Sequence, residues 1–331
     1  MSSHQTHLDE NRAAKRWLPR SVTFVMTGLY FSGTLLWLVA ILIRLTVRDL
    51  SPYPLVTVLY YATPGVLLFA TAGLLMFFAG VLGRSRTAAT WCIMGLVVAQ
   101  CAGSHHPVPA PSSQSQQTNQ VYRLLLWNVC HGRQGWDNIA SEINKHQADI
   151  IALVEAGDPS EQMRTFWKEQ FPEYDTSLLG GEMVLLTRGQ STEVRARKIG
   201  REGQVREVDL ILNGHAVTTM VVDIHGRLDI PRGESIQDLA NLMKHRKSQP
   251  VLIAGDFNTP KESPLFQPLR QQSSNAFEVA GQGYSPTWPW MFPVLVIDQV
   301  WSNDHITFDS SQNIWSKASD HCAILTEFHF K

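Results

Sequence analysis

Long apolar segments dominate the first third of the chain and predict helices within a membrane. Three segments contain no charged residue: Val22–Ile43, Tyr53–Gly83 and Ala88–Ser104. A spanning helix needs about 20 mostly apolar residues. The pattern therefore predicts three transmembrane helices, at about 22–43, 55–82 and 88–103, with Pro64 as a candidate kink in the second. The third segment is short, and the alternative for it is a re-entrant or interfacial helix.

Basic residues beside these segments predict the direction in which the chain crosses. Four precede the first segment, and Arg84 and Arg86 lie between the second and the third. Loops rich in Lys and Arg stay in the cytoplasm. Residues 1–21 are therefore expected in the cytoplasm, and three crossings place the C-terminal part outside, which in a bacterium is the periplasm. The prediction is a multi-pass protein of the bacterial inner membrane; without the third crossing, the C-terminal part returns to the cytoplasm.

The composition changes sharply near residue 120. Residues 1–119 contain eight Lys and Arg against three Asp and Glu, a net charge of +5, whereas residues 120–331 contain twenty against twenty-six, a net charge of −6. Residues 104–120 have no charged side chain and no hydrophobic periodicity, which is typical of a flexible linker. The division predicted is therefore a membrane region over 22–103, a linker over 104–120 and a separate domain over 121–331.

Within that domain, short apolar runs alternate with two amphipathic patterns. The runs predict strands at Leu124–Trp127, Asp149–Val154, Met183–Thr187, Val208–Leu212, Ala216–Val222, Val251–Ile253, Val294–Ile297 and Cys322–Phe328. Helical spacing marks Trp136–Gln147 and the segment from Ile236 to Met243. The middle third has no helices between its strands, so the pattern favours a layered α/β sandwich over a doubly wound parallel sheet.

Polar residues with useful chemistry follow several of these runs. Asn128, Glu155 and Asp256 each end a predicted strand, and Asp320-His321 precedes the last one. Carboxylate and amide oxygens are ligands for hard cations, and an imidazole beside a carboxylate transfers protons or stabilises charge. Together these residues predict metal-assisted attack on a phosphate ester. Taken singly, each is more often a turn or cap residue.

The ordered set of these motifs resembles the endonuclease/exonuclease/phosphatase superfamily, also called DNase-I-like. The set is Trp127-Asn128, Glu155, His225, Gly255-Asp256-Phe257-Asn258, Ile297-Asp298 and Ser319-Asp320-His321. The resemblance covers roughly residues 121–331. It implies a four-layer α/β sandwich in which two central β-sheets are flanked by helices and strand ends build one metal site.

The resemblance also implies a role for each residue. Glu155 is the expected principal ligand of Mg²⁺ or Mn²⁺, with Asn128 beside it and Asp320 next to the metal site. Asp256 would position and deprotonate the attacking water, with Asn258 holding the water or the phosphate. The remaining residues act on the phosphate: His225 and His321 as donors to its oxygens, and Asp298 as the partner that orients His321. Cys130 stands where many relatives carry an acidic residue, which leaves a second carboxylate ligand open.

Three other features have no assigned role or two competing ones. His105, His106 and His131 are predicted not to be ligands. The basic run Arg195–Arg206 is either a solvated face of a hairpin or a contact for phosphate-rich ligands. Trp288 and Trp290 either pack in the core or contact a substrate or a membrane surface.

These observations predict a membrane-anchored, metal-dependent phosphodiesterase or phosphatase. The net charge of −6 on residues 120–331 offers no broad attraction to duplex nucleic acid. Lipid-derived or small phosphoesters are therefore favoured as substrates over long nucleic acids, and membrane lipids are expected to contact the three helices. The alternatives are a nuclease and a catalytically inactive binding or sensing protein with the same fold. No protein partner is predicted.

Overall fold

The structure, a computed structural model, describes residues 19–50, 53–102, 105–106 and 120–331. The chain forms two compact units, one of Met1–Val47 with Ala62–Ala102 and one of Arg48–Tyr61 with Gly103–Lys331. The predicted linker therefore falls mostly outside the described residues. The short segment Arg48–Tyr61, which connects two long apolar helices, belongs to the larger unit.

The prediction of three spanning helices was wrong in its number. Among the described residues, only Arg20–Leu45 is a single helix long and apolar enough to cross a membrane. The second predicted span is two helices, Pro54–Ala62 and Gly65–Val81, bent by 69° at the break where Pro64 lies. Within the helix Ser85–Ala102, the stretch Ser85–Ala99 is apolar but shorter than the 18 residues of a candidate span. In the part of the chain that the structure describes, length and composition thus give one candidate span, or two if the bent pair is a single span.

Large aromatic side chains hold the smaller unit together. Trp91 Nε1 donates to the hydroxyl of Tyr30 at 2.9 Å, and Trp37 Nε1 donates to the carbonyl of Leu68 at 2.9 Å. The two indole rings meet edge to face with their centroids 5.1 Å apart. Buried indole N–H groups are costly without a partner, so these bonds fix which faces of the helices meet.

The larger unit contains two mixed β-sheets. Its strands are β1 (His105–His106), β2 (Tyr122–Asn128), β3 (Ile150–Val154), β4 (Asp175–Gly180), β5 (Met183–Thr187), β6 (Gln190–Ile199), β7 (Gly203–Leu212), β8 (His215–Ile224), β9 (Val251–Asp256), β10 (Ser274–Asn275), β11 (Gly281–Tyr284), β12 (Asp298–Ser302), β13 (Ile306–Ile314) and β14 (Ala323–Phe330). One sheet has the order β1-β11-β13-β14-β2-β3-β5-β4, and the other has the order β10-β12-β9-β8-β7-β6.

Helices of this unit connect and cover the sheets. Besides Pro54–Ala62, they are Trp136–Asn144, Glu161–Gln170, Gly233–His245, Gln267–Arg270 and Ala276–Ala280, with short 3-10 turns at Cys130–Gly132 and Pro264–Phe266. The helix Glu161–Gln170 is capped by Ser160, whose hydroxyl accepts from the amide of Met163.

Three apolar cores separate the layers of the sandwich. Alternate residues of β2 point to opposite faces, so Leu124 and Leu126 pack between the two sheets while Leu125 and Trp127 pack under the helices Trp136–Asn144 and Glu161–Gln170. The third core lies between the other sheet and the helix Gly233–His245. The unit is therefore an α/β sandwich of two mixed sheets flanked by helices, as the sequence pattern predicted. Because β2 and β9 are buried on both faces, their apolar runs are continuous rather than alternating.

One predicted strand differs from the observed elements, and the structure shows where the basic run of the sequence lies. Val294–Ile297 is not a strand; Leu295 makes only an isolated bridge to Trp288, and the strand begins at Asp298. The apolar residues there line a loop that folds back on itself. The basic run Arg195–Arg206 lies in a hairpin of β6 and β7. Arg195 and Arg197 pair with Glu207, whose carboxylate is buried, and Arg195 Nη2 lies 2.7 Å from Asp209 Oδ2. The charges of Arg195 and Arg197 are thus already paired with acidic side chains.

Candidate active site

Strand ends bring the predicted site residues to one edge of the two sheets. β2 and β3 are parallel and in register at their ends, so Asn128 lies beside the segment that leads into Glu155. β9 ends at Asp256 opposite Asp298, the first residue of the antiparallel strand β12. β14 is antiparallel to β2, so His321, which precedes β14, lies at the same edge. Five residues distant in the sequence thus meet because of strand direction.

Close backbone packing fixes the tip of β9. Gly255 lies opposite Val222 of the parallel strand β8. A Cβ atom at Gly255 would lie 2.0 Å from the carbonyl oxygen of Val222, a distance that no side chain tolerates. Glycine at this position therefore lets β9 approach β8 and deliver Asp256 to the site.

Asn128 connects the two halves of the site. Its Nδ2 donates to Glu155 Oε1 at 3.1 Å and to Asp256 Oδ2 at 3.0 Å, and its Oδ1 accepts from the amide of Cys130 at 3.0 Å. The backbone carbonyl of Asn128 accepts from the Ser319 hydroxyl at 2.7 Å. The side-chain amide of Asn128 thus links the carboxylates of Glu155 and Asp256 by hydrogen bonds.

Asp256 is buried and accepts several hydrogen bonds. Its Oδ1 accepts from the amide of Asn258 at 2.7 Å, and its Oδ2 accepts from Asn258 Nδ2 at 3.1 Å. Burial and the neighbouring carboxylate of Asp298 raise the pKa of Asp256 well above its usual range. A carboxylate with a raised pKa is a better proton acceptor, which suits a general base.

His321 forms a buried pair with Asp298. Its Nδ1 lies 2.8 Å from Asp298 Oδ2. Burial alone would lower the pKa of His321, but Asp298, Asp256 and Asp320 outweigh it and raise that pKa to about 10. The imidazole therefore stays protonated at neutral pH, and its remaining N–H is available as a charged donor.

Asp320 lies beside this pair and contacts residues whose roles were open. Its Oδ2 accepts from Trp288 Nε1 at 3.3 Å, and the ring of Trp288 lies 6.4 Å from the ring of His321. Burial opposes ionisation of Asp320, but a hydrogen bond from Cys130 and the charge of His321 hold its pKa below the usual range. Burial and Asp320 raise the pKa of the Cys130 thiol to about 11. Trp288 is thus a wall of the site, and Cys130 is a neutral donor.

His225 is less closely integrated than the other predicted residues. Its ring is exposed, with Nε2 3.7 Å from Glu202 Oε2 and Nδ1 accepting from the amide of Arg227 at 2.9 Å. Asn258 approaches the same segment, because its Nδ2 donates to the carbonyl of Ile224 at 2.9 Å. His225 therefore lies at the rim, while the other seven predicted residues line or support the interior.

One residue given no role in the sequence belongs to the site. His131 Nε2 lies 3.2 Å from Glu155 Oε2, and its Nδ1 lies 3.4 Å from Glu182 Oε2. Cys130, His131, Glu155 and Asn258 all have positive φ angles, between 45° and 52°. Such conformations are uncommon for residues other than glycine and concentrate at functional sites. No spacing in the sequence indicates this contact, because His131 lies in the 3-10 turn after β2 and Glu182 in the distant turn between β4 and β5.

The donor set fits a hard divalent cation. Oδ1 of Asp298 and Oδ1 of Asp320 are buried without a hydrogen-bond partner among the described residues. Ligand atoms of Asp256, Asp298 and His321 lie within 4.8 Å of one another, a possible metal-binding group. A protonated His321 has no free lone pair for a metal ion, so these three residues are better suited to hydrogen bonding with the substrate than to binding a cation by themselves. The carboxylate of Glu155, with 29% of its side chain exposed, is a second acidic group open to a cation.

Comparison with known proteins identifies the family of the chain. The model of the endonuclease/exonuclease/phosphatase family matches residues 125–321, more than half of the chain. The chain therefore belongs to this family of phosphoester hydrolases, which confirms the resemblance seen in the motifs. No curated protein is similar enough in sequence to count as a match.

Three solved structures share the fold. A family protein from Bacteroides vulgatus has a TM-score of 0.54 at 14% identity, covering 64% of this chain and 100% of that chain. A mannosyl-6-phosphatase from Bacteroides thetaiotaomicron has a TM-score of 0.53 at 15% identity, covering 63% and 100%. The human Nocturnin catalytic domain with bound sulfate has a TM-score of 0.52 at 15% identity, covering 65% and 98%. At these identities the likeness concerns the fold alone.

Proposed function

We propose that this protein is a membrane-anchored, divalent-cation-dependent hydrolase of lipid-derived or other small phosphoesters. The observation that carries the proposal is the buried Asp256–Asp298–His321 group at the strand ends, beside the Asn128–Glu155 pair. A proton acceptor, a charged donor and an open carboxylate within one site are what phosphoester hydrolysis requires. The complete set argues against an inactive binding protein.

The residues divide the chemistry between them. Asp256, whose pKa is raised, accepts a proton from the attacking water, and Asn258 holds its carboxylate in place. His321 donates to a phosphoryl oxygen, where negative charge grows in the transition state, and Asp298 keeps the ring oriented and protonated. His225 at the rim is a second donor to the phosphate. Mg²⁺ or Mn²⁺, held by Glu155 and Asp320 with Asn128 beside them, would supply positive charge next to the phosphoryl oxygens.

Exposed apolar residues beside the site favour a substrate with an apolar part. Trp288 contacts the site, Trp290 packs edge to face against Trp315, and Met291 and Phe292 follow with 63% and 78% exposure. Apolar side chains with this exposure next to a site mark a surface for lipid or another apolar partner. Arg195 and Arg197 pair with acidic side chains, which weakens the argument that the basic run contacts long nucleic acids.

A substrate panel tests the proposal on the full chain in detergent with Mg²⁺ or Mn²⁺. We expect release of phosphate or alcohol from phospholipids and small phosphoesters to exceed cleavage of plasmid DNA. Efficient, salt-sensitive cleavage of plasmid DNA without activity on phospholipids would identify a nuclease instead. Absence of all hydrolysis by folded, metal-loaded protein would favour the binding or sensing alternative.

The position of Arg48–Tyr61 supports an extracytoplasmic catalytic domain. If Arg20–Leu45 crosses the membrane with its basic N-terminal side in the cytoplasm, the segment after it lies outside. Asp49 of that segment accepts from the Ser263 hydroxyl at 2.9 Å, so this segment and the catalytic domain share one compact unit. Both therefore lie on the same side of the membrane. This argument does not depend on how the helix Ser85–Ala102 is counted.

Reporter fusions test this topology. Fusions after residue 110 are expected to score as extracytoplasmic and fusions near residue 85 as cytoplasmic, because Arg84 and Arg86 hold their loop inside. If fusions at residue 110 and near residue 85 both score as cytoplasmic, the catalytic domain is not extracytoplasmic and the proposed topology is wrong.

A further inference from the structure

A cavity of about 310 Å³ lies next to the segment that carries His225. One wall comes from Arg48–Tyr61, the other from the loop that runs from His225 to the helix Gly233–His245. The lining residues are Asp49, Leu50, Pro54, Thr57, Leu228, Asp229, Ile230, Pro231, Arg232, Gly233 and Leu265. Its volume lies at the lower end of the range for small-molecule sites, roughly 300–1,000 Å³.

A buried polar cluster holds the segment Arg48–Tyr61 against the rest of the larger unit. Asp49 is buried, and its Oδ2 accepts from the Ser263 hydroxyl at 2.9 Å and from the Tyr61 hydroxyl at 3.2 Å. The guanidinium of Arg232 lies 5.2 Å from the centre of the Tyr61 ring. Because buried polar groups bonded in this way resist separation, the cavity is a built feature and not a gap between loosely associated segments.

One polar group in the lining is not satisfied. Arg232 is only 4% exposed, and its Nε is buried without a hydrogen-bond partner among the described residues. A buried N–H of a guanidinium is costly when unpaired, so an acceptor from a ligand would stabilise it. Around this group the lining is mainly apolar, with Leu228, Ile230 and Leu265 on the side of the catalytic domain.

The surroundings of the cavity indicate what kind of ligand it could bind. The loop that lines it begins at His225, where Gly226 lies against Asn258: a Cβ there would be 3.1 Å from Asn258 Oδ1. The loop from His225 to Arg232 therefore joins the rim of the active site to the wall of the cavity. The opposite wall connects two long apolar helices and presents exposed Leu50 and Leu55. An apolar chain with polar acceptors near one end matches these surroundings.

We propose that this cavity binds the apolar chain of a lipid phosphoester whose phosphate lies in the active site. The proposal rests on the proposed function and specifies the substrate class: phosphoesters that carry a long alkyl or acyl chain. The cavity provides apolar burial that a short phosphoester cannot use, and so it selects by chain length. Arg232 donates to an oxygen near the beginning of the chain.

Two non-hydrolysable probes test the proposal: hexadecylphosphonate and ethylphosphonate, titrated into the full chain in one detergent. Trp at position 230 or 228 would fill the cavity, and Ile230→Trp and Leu228→Trp are tolerable because both side chains are partly exposed. Val279→Trp is the matched control, because Val279 is 56% exposed on the helix Ala276–Ala280 and does not line the cavity. Detergent partitioning of the long probe is the same for all four proteins.

Each cavity variant is expected to weaken binding of hexadecylphosphonate by about tenfold or more, since several buried methylene groups are lost. Val279→Trp should leave this affinity unchanged, and thermal unfolding should show that all variants are folded. Equal affinities of wild type, Ile230→Trp and Leu228→Trp for hexadecylphosphonate would overturn the proposal. His321→Ala separates the two ideas: if it leaves binding of both probes unchanged while Ile230→Trp weakens the long one, the cavity stands and the phosphate site is wrong.

Discussion

His321→Ala is expected to lower kcat for a phosphoester by roughly 10²–10⁴-fold, the range for loss of a residue that transfers or donates a proton in the transition state. The substitution removes a donor that Asp298, Asp256 and Asp320 keep charged, in a buried site where its hydrogen bond is strong. Asp256→Ala should have an effect of similar size, because it removes the proton acceptor. Initial rates at saturating substrate measure both.

Asp298→Asn should cost less than either change. Asp298 touches His321 and not the phosphate, so an amide at this position leaves the ring present but less strongly charged. The smaller loss of kcat would distinguish a residue that positions His321 from residues that contact the phosphate or the attacking water. A rate for Asp298→Asn below that of His321→Ala would reverse the proposed roles.

The chain offers a matched control for the buried pair. His329 and Asp309 form a second His–Asp contact of 2.9 Å, but both are near the surface and at the other end of β14 and β13. His329→Ala removes the same type of side chain and the same type of contact, and it should leave kcat nearly unchanged. Near-normal turnover of His321→Ala would end the mechanism proposed here.

Much of the site could be predicted from the sequence because strand ends are local features. Asn128, Glu155 and Asp256 each follow an apolar run, and the sheet then aligns the runs by direction and register. Their order along the chain was sufficient to recognise the family. The apolar run Val294–Ile297 gave a false strand, because hydrophobicity there serves a folded loop and not a sheet.

Contacts between distant segments could not be predicted. His131, in the 3-10 turn after β2, contacts Glu182 in the turn between β4 and β5, and Asp49 bonds to Ser263, 214 positions away. Neither pair has a motif or a periodicity, because such contacts depend on the finished packing. The sequence pattern also did not predict the polar strands β4 and β13. Several residues of each strand are at least partly exposed, so no continuous apolar run marks either strand.

The break in the second apolar segment shows that hydropathy does not predict where a helix ends. A hydropathy pattern identifies a candidate span as a long segment without charged residues, and Tyr53–Gly83 is such a segment. Pro64 lacks a backbone N–H and disfavours a helical conformation in the residue before it, so the chain turns there instead of continuing. Residues 54–61 of the separated helix then belong to the catalytic unit, where Pro54 and Thr57 line the cavity.

Removal of divalent cations should abolish hydrolysis, and added Mg²⁺ or Mn²⁺ should restore it. Among the described residues of the site interior, His321 carries the positive charge, and it is already paired with Asp298. The negative charge that develops on the phosphoryl oxygens therefore needs a further cation. Chelator-treated protein with full activity would exclude the metal assignment.

Glu155→Gln should weaken binding of Mn²⁺, measured by titration without substrate, by at least roughly 10–100-fold, the range found even for residues that only support a metal ligand. The change keeps the size of the side chain and its contact with Asn128 Nδ2, so the thermal unfolding temperature should change little. Glu182→Gln is the matched control, because Glu182 shares His131 with Glu155 but lies outside the predicted ligand set. If both variants weaken Mn²⁺ binding equally, the effect is general electrostatic attraction of the acidic rim, and Glu155 is not the principal ligand. A selective loss in Glu155→Gln assigns the cation to the carboxylate that Asn128 holds next to Asp256.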